Sequence, residues 1–244
     1  VSGWLERFGF ALGRALRAFR PTASVAIASP AKSIESGPPP ESSNLGVFAL
    51  SDAEMAERKV SAITIGELEL PTGEIVACDP LITGLSRPAF SRKVKPGRYP
   101  VILLQAQGRI AAAVLRFGPG LPIRWELATF VPDRPPVYKS EFLEFIVDDA
   151  VASFMDKSVL TLMSDQQELD DYLADVACTI DRFCIDSPIE GNPINVAMFD
   201  TGYGDGSYRS FWGLDAAGEP LLLMTDFEVL ENADGRENNQ AADG

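Results

Sequence analysis

The chain has 244 residues, 46% of them hydrophobic, and a formal charge of −14 from 21 basic and 35 acidic side chains. That apolar content supplies a packed core and excludes intrinsic disorder, while the acidic balance argues against a general nucleic-acid binder. The absence of histidine removes Ser-His-Asp and Cys-His nucleophiles, His-ligated metals and His-based pH switches.

In chain order, residues 1–20 carry Trp4, Leu5, Phe8, Leu12, Ala15, Leu16 and Phe19 at three- and four-residue spacing, one face of a helix. Arg7, Arg14 and Arg17 lie off that face, and Pro21 ends it. A basic amphipathic helix of this kind docks on a core or rests on a membrane surface. Weak peripheral membrane contact through residues 1–20 is therefore one expectation. No apolar run is long enough to span a bilayer, and a secretory signal fits poorly, so a cytoplasmic location is expected. Residues 21–45 read as a Pro/Ser-rich linker, with Pro38, Pro39 and Pro40 in a row. A single globular domain is expected over residues 46–228, then a polar, disordered tail over 229–244.

The body predicts an α+β fold, a mainly antiparallel sheet or sandwich of about eight strands with two inserted helices. Ser61–Leu70 alternates and reads as a strand; Pro71-Thr72-Gly73 turns it into Glu74–Cys78 as a hairpin. Tyr99–Gln105 and Arg109–Phe117 form a second hairpin across Gln107-Gly108, and their apolar runs predict central strands. Pro122–Phe130 is a further strand around Trp125. The period then shifts: Ala150, Val151, Phe154, Val159, Leu162 and Met163 predict a helix over 148–163. A capping box at Ser164/Gln167 or Asp165/Glu168 starts a second helix running to about Arg182. Ile194–Phe199 is a strand, and Tyr208–Leu214 with Glu219–Phe227 forms a final hairpin.

The charge is uneven. Residues 1–116 are net +4 and residues 117–244 net −18, an asymmetry that steers association with a basic partner or serves solubility. Three cysteines, Cys78, Cys178 and Cys184, have no C-x-x-C spacing, so neither a disulfide scaffold nor a zinc site is expected.

The densest chemistry lies in Asp200-Thr-Gly-Tyr-Gly-Asp-Gly-Ser-Tyr208. Gly202, Gly204 and Gly206 permit close backbone approach, and Asp200 and Asp205 bring carboxylates. A calcium site or anion nest is one reading. A tight hairpin with a type I′ turn at Asp205-Gly206 is the other. Tyr208 closes the segment. Asp79, Asp156 and Asp226 are further candidates, because paired carboxylates perform acid–base chemistry without histidine when they stand about 5–10 Å apart. Each also suits a cap or a turn. Arg87, Arg92, Lys93, Lys95 and Arg98 form a basic stretch that either binds an acidic group or pairs internally.

The order of these motifs resembles the uncharacterised, mostly bacterial family catalogued as domain of unknown function 4241. The series runs from Leu70-Pro-Thr-Gly-Glu through Cys78-Asp79-Pro80 and Val94-Lys-Pro-Gly-Arg-Tyr-Pro-Val101 to Ser153-Phe-Met-Asp156. It ends with Asp200 to Tyr208, Trp212-Gly-Leu-Asp215 and Thr225-Asp-Phe227. The resemblance covers about residues 60–228 and implies one contiguous domain. It carries over no catalytic residue. No cofactor motif is present: no Walker sequence, and no G-x-G-x-x-G between a strand and a helix. The sequence therefore points to a soluble, non-enzymatic module binding a basic protein, in the manner of an immunity protein. The alternative is a carboxylate-dependent or metal-assisted hydrolase.

Overall fold

A computed structural model describes residues 43–82, 87–131, 143–162 and 166–230. The expected helix at 1–20, and most of the linker and tail, lie outside these residues. All described residues belong to one compact unit, Ser36–Gly244. Eleven strands are present among them. They are β1 Ser61–Leu70, β2 Ile75–Cys78, β3 Gly97–Ala106, β4 Arg109–Arg116, β5 Arg124–Leu127 and β6 Glu144–Val147, followed by β7 Val151–Asp156, β8 Phe183–Asp186, β9 Val196–Asp200, β10 Gly206–Leu214 and β11 Pro220–Asp226. The helices are α1 Asp52–Glu57, α2 Val159–Leu162 and α3 Gln166–Ala177, preceded by a 3-10 turn at Ser43–Ala49.

The strands form two antiparallel sheets. The larger runs β1-β3-β4-β11-β10-β5, with β6 lying end to end with β5 along β10. The smaller runs β2-β7-β9-β8. Period-2 alternation stacks three layers. Ala77, Ala152, Phe154, Ala197 and Phe199 face the larger sheet and join its core. Their neighbours Val76, Cys78, Val151, Met155, Val196 and Met198 face the other way, under Leu169, Leu173 and Ala177 of α3. Both faces of the smaller sheet are thus covered.

Pairing continues past the named strands. Bridges Val76↔Ala89 and Phe90↔Phe130 link β2 to the segment just after β5, so backbone pairing joins the two sheets along that margin. At the opposite margin the free edges are β1 and β8. There the Asn195 side chain accepts from Glu69 N–H and donates to Glu67 O, both at 2.9 Å. Ile185 lies directly over Gly66, and Arg182 donates to Gly108 O.

Several sequence expectations are corrected. Ser61–Leu70 and Glu74–Cys78 are not a hairpin. Thr72 and Gly73 turn a corner between sheets, with β1 pairing β3 and β2 pairing β7. Gly73 sits at φ 70°, and a Cβ there would stand 2.0 Å from Val94 O, which only glycine permits. Residues 148–163 are not one helix. Val151–Asp156 is a strand buried at every position, so its apolar residues show no period of two, and among the described residues of this stretch only Val159–Leu162 coils. The second helix ends at Ala177, five residues earlier than expected. Thr179 closes it by donating through N and Oγ1 to Val176 O, and Phe183–Asp186 becomes β8. The hairpins across Gln107-Gly108 and Ala216-Gly218 are observed. Gln107 and Gly108 have φ of 53° and 74°, as a type I′ turn requires.

Candidate functional site

The glycine-rich segment is not a hairpin. Asp200 ends β9 in the smaller sheet and Gly206 begins β10 in the larger one, so residues 201–205 carry the chain between layers. The positive φ values fall at Gly202 and Gly204, 36° and 111°. They do not fall at Asp205-Gly206, which excludes a type I′ turn there. A Cβ at Gly202 would lie 2.7 Å from Phe227 O; the glycine allows the crossover to rest on the chain leaving β11.

The crossover is fixed from several sides. Gly204 N donates to Thr201 O, and Thr201 Oγ1 donates back to Gly204 O. The buried Tyr208 hydroxyl also donates to Gly204 O, at 2.6 Å. Burial raises the Tyr208 pKa, keeping that hydroxyl a donor. Gly202 N donates to Ile110 O.

Asp79 and Asp205 converge on the turn between β6 and β7. Asp79, 2% exposed, accepts Asp148 N at 2.9 Å and Asp149 N at 3.1 Å through one oxygen, and Leu81 N at 2.7 Å through the other. Asp205 accepts the next amide, Ala150 N, at 3.1 Å. Ala150 is held in the left-handed region at φ 57°. Two carboxylates thus satisfy three successive amides of one turn.

The remaining candidates serve similar ends. Asp156 is fully buried and accepts from Thr72 N and Oγ1 and from Ser158 N and Oγ, pinning the β1–β2 corner to the end of β7. Asp226 accepts Glu228 N at 2.8 Å. Asp200 pairs with Val151 in the ladder; partial burial and Asp181 raise its pKa against the opposing pull of Arg182. The structure therefore gathers Asp79, Asp205, Asp200 and Tyr208 at one end of the smaller sheet. Asp156 lies at the other end of β7. Five residues of strand separate it from Val151, about 17 Å, beyond the reach of a carboxylate pair. Among the described residues, no group of three or more His, Cys, Asp or Glu could hold a metal ion.

Three residues at this corner are not among the candidates singled out from the sequence: Asp149, Arg109 and Tyr203. Slight desolvation of this exposed carboxyl, and the neighbouring carboxylates of Asp79, Asp148 and Asp205, raise the Asp149 pKa. A carboxyl whose folded pKa is raised destabilises the fold when ionised and ceases to as pH falls through that pKa. Asp149→Asn is accordingly expected to raise the melting temperature near neutral pH, with the gain vanishing by roughly pH 3. Thermal melts at the two pH values check this, and an equal gain at both would refute the repulsion. Tyr203 is 50% exposed. The Arg109 guanidinium lies 4.6 Å from its ring centre and donates to Gly202 O at 3.1 Å. The sequence signal for it is an aromatic between two glycines, Gly202-Tyr203-Gly204.

Four of the five residues of the basic stretch are paired internally. Arg87 meets Asp170, Arg92 meets Glu126, Lys93 meets Glu74 and Arg98 meets Glu69. The cysteines are free thiols. Burial raises the Cys78 pKa and pushes Cys184 to about 11, which disfavours the nucleophilic thiolate at both. No helix among the described residues is long and apolar enough to cross a membrane.

The model for the family described as protein of unknown function (DUF4241) matches residues 68–225. This span runs from the end of β1 to the end of β11 and includes every candidate residue except Asp226. No curated protein matches the chain, and no solved structure does.

Proposed function

The chain belongs to the DUF4241 family, and from that footing we propose that it is a non-enzymatic binding module whose acidic face meets a basic protein, as an immunity protein meets a basic toxin. One observation carries this reading. Glu168, Asp171, Asp175, Asp181, Asp186 and Glu190 are all exposed along α3 and the segment after it. None forms an ion pair with a basic side chain among the described residues. Arg87, Arg92, Lys93 and Arg98 of the first half are meanwhile paired with carboxylates within the fold. A field of one sign on one face steers a partner of the other sign. Supporting it further, Asp79, Asp156, Asp205 and Asp226 accept backbone N–H groups of turns, a scaffold role and not an acid–base one.

The test is affinity capture from the native host, comparing the wild-type chain with a Glu168→Gln/Asp171→Asn/Asp175→Asn/Asp181→Asn variant. The expected result is a basic protein retained at low salt and lost at high salt, since exposed charges are screened beyond about 10 Å at 0.1 M. The variant is expected to lose it at both. Retention by the variant equal to wild type, or no retained protein at any salt, would overturn the reading.

A further inference from the structure

The outer edge of β1 is covered along only part of its length. β1 ends the larger sheet and pairs with β3 alone. Asn195 takes up Glu67 O and Glu69 N–H. Among the described residues, nothing hydrogen-bonds to the outer edge of residues 61–65. Ser61, Ala62, Ile63 and Thr64 are all exposed, Ile63 at 36%. This stretch carries no charge and no proline, two devices that blunt an open edge. The register fixes which backbone groups are free. Glu67 and Glu69 point theirs outward to Asn195, so Leu68 bonds inward to Tyr99 and Gly66 to Val101. The bulge between Thr64 and Gly66 shifts the alternation by one residue. Ile63 therefore bonds inward to Leu103, and Ala62 and Thr64 present N–H and C=O outward.

The geometry points to a second copy of this chain as the occupant of that edge, added antiparallel to β1 about a two-fold axis at Ile63. In this register Ala62 of one copy lies opposite Thr64 of the other, so the outward groups of both pairs meet. Ile63 faces its own counterpart in a close, non-hydrogen-bonded pair. Lys59 and Glu67, both exposed, fall opposite each other at either end and set unlike charges together twice. The neighbouring axes fit worse. A two-fold at Ala62 would oppose Glu57 to Glu67, and one at Thr64 would set Ser61 against the clasped Glu67. A strand pairing with itself in this way makes a closed, self-complementary interface. Five residues a side fall short of the about 20–30 of a standard interface, so the dimer is weak and reversible. It uses no residue of the acidic face around α3 and stands apart from that reading.

The test is sedimentation equilibrium of the full chain over a concentration series at about 0.15 M salt. The expected result is a reversible monomer–dimer equilibrium. Thr64→Pro removes an outward N–H that β3 does not use, and is expected to weaken the dimer about tenfold through the two hydrogen bonds lost. Ile63→Lys sets two cations face to face at the axis and is expected to weaken it at least as much, with the fold retained by circular dichroism. Lys59→Glu and Glu67→Lys are each expected to weaken it about three- to tenfold, and the double exchange to restore it. A chain monomeric across the whole series would overturn the dimer. A dimer indifferent to Thr64→Pro and Ile63→Lys would overturn β1 as its seat. Single charge variants that weaken it, with no rescue in the double, would overturn the register centred on Ile63.

Discussion

Asp170→Asn is expected to destabilise the fold by about 3–5 kcal/mol, because it leaves a buried guanidinium uncompensated. Arg87 and Asp170 meet at 2.8 Å with side chains only 4% and 5% exposed. Their pair ties α3 to the segment that bridges β2 through Ala89. Arg87 Nη2 also donates to Ile82 O, while its Nε has no partner, so this cation has little to spare. At roughly 2–4 °C per kcal/mol for a domain of this size, the melting temperature is expected to drop by about 6–20 °C. Guanidinium unfolding measures the change directly. The double variant Arg87→Met/Asp170→Leu is expected to recover most of the loss, since apolar replacement of a whole buried pair is often neutral or stabilising. A single variant within about 1 kcal/mol of wild type would show that the pair does not hold α3 in place.

The second large effect is expected at Asp156. Asp156→Ala removes the acceptor for two backbone amides and two hydroxyls at once, in a site with no exposure. Hydrogen bonds to a charged acceptor contribute about 1.5–3 kcal/mol each and do not add fully, so a loss of about 3–5 kcal/mol is expected. The same denaturation series reads it. A variant as stable as wild type would mean that Thr72 and Ser158 find other partners, and that the β1–β2 corner does not depend on this carboxylate.

Local signals in the sequence were readable and distant ones were not. The β3–β4 and β10–β11 hairpins follow from apolar runs on either side of a short turn, and the structure has both. The corner at Thr72-Gly73 carries the same local signature as a hairpin. What separates them is the partner of each strand: β2 belongs beside β7, more than seventy residues away, and no turn residue encodes that. Val151–Asp156 was misread for a related reason. A strand buried on both faces is apolar at nearly every position, so its pattern also fits a helix. The expected helix end failed because Ile180 and Phe183 continue the apolar spacing of α3 while the backbone has already turned back. Asp200, Asp205 and Tyr208 stand out in the sequence as one segment, and Asp79 as a separate candidate. Their shared task, bracing a turn and a crossover, was visible only once the two sheets brought residues 79, 148–150 and 201–205 together. Asp149 and Arg109 are not legible as site residues because their roles come from spatial neighbours.

The two margins of the sandwich behave as the spine and fore-edge of a book. Along the spine, at residues 76, 89, 90 and 130, the leaves are bound by main-chain pairing that no single side-chain change removes. Along the fore-edge they are held by the amide of Asn195, the Ile185 side chain over Gly66 and the Arg182 guanidinium. Partial opening of the domain is therefore expected to begin at β8, where the clasp is made of side chains, and to leave the spine closed. The clasp has a second effect. By occupying Glu67 O and Glu69 N–H, Asn195 acts as a one-residue substitute for a neighbouring strand, denying that stretch of β1 to the edge of another chain.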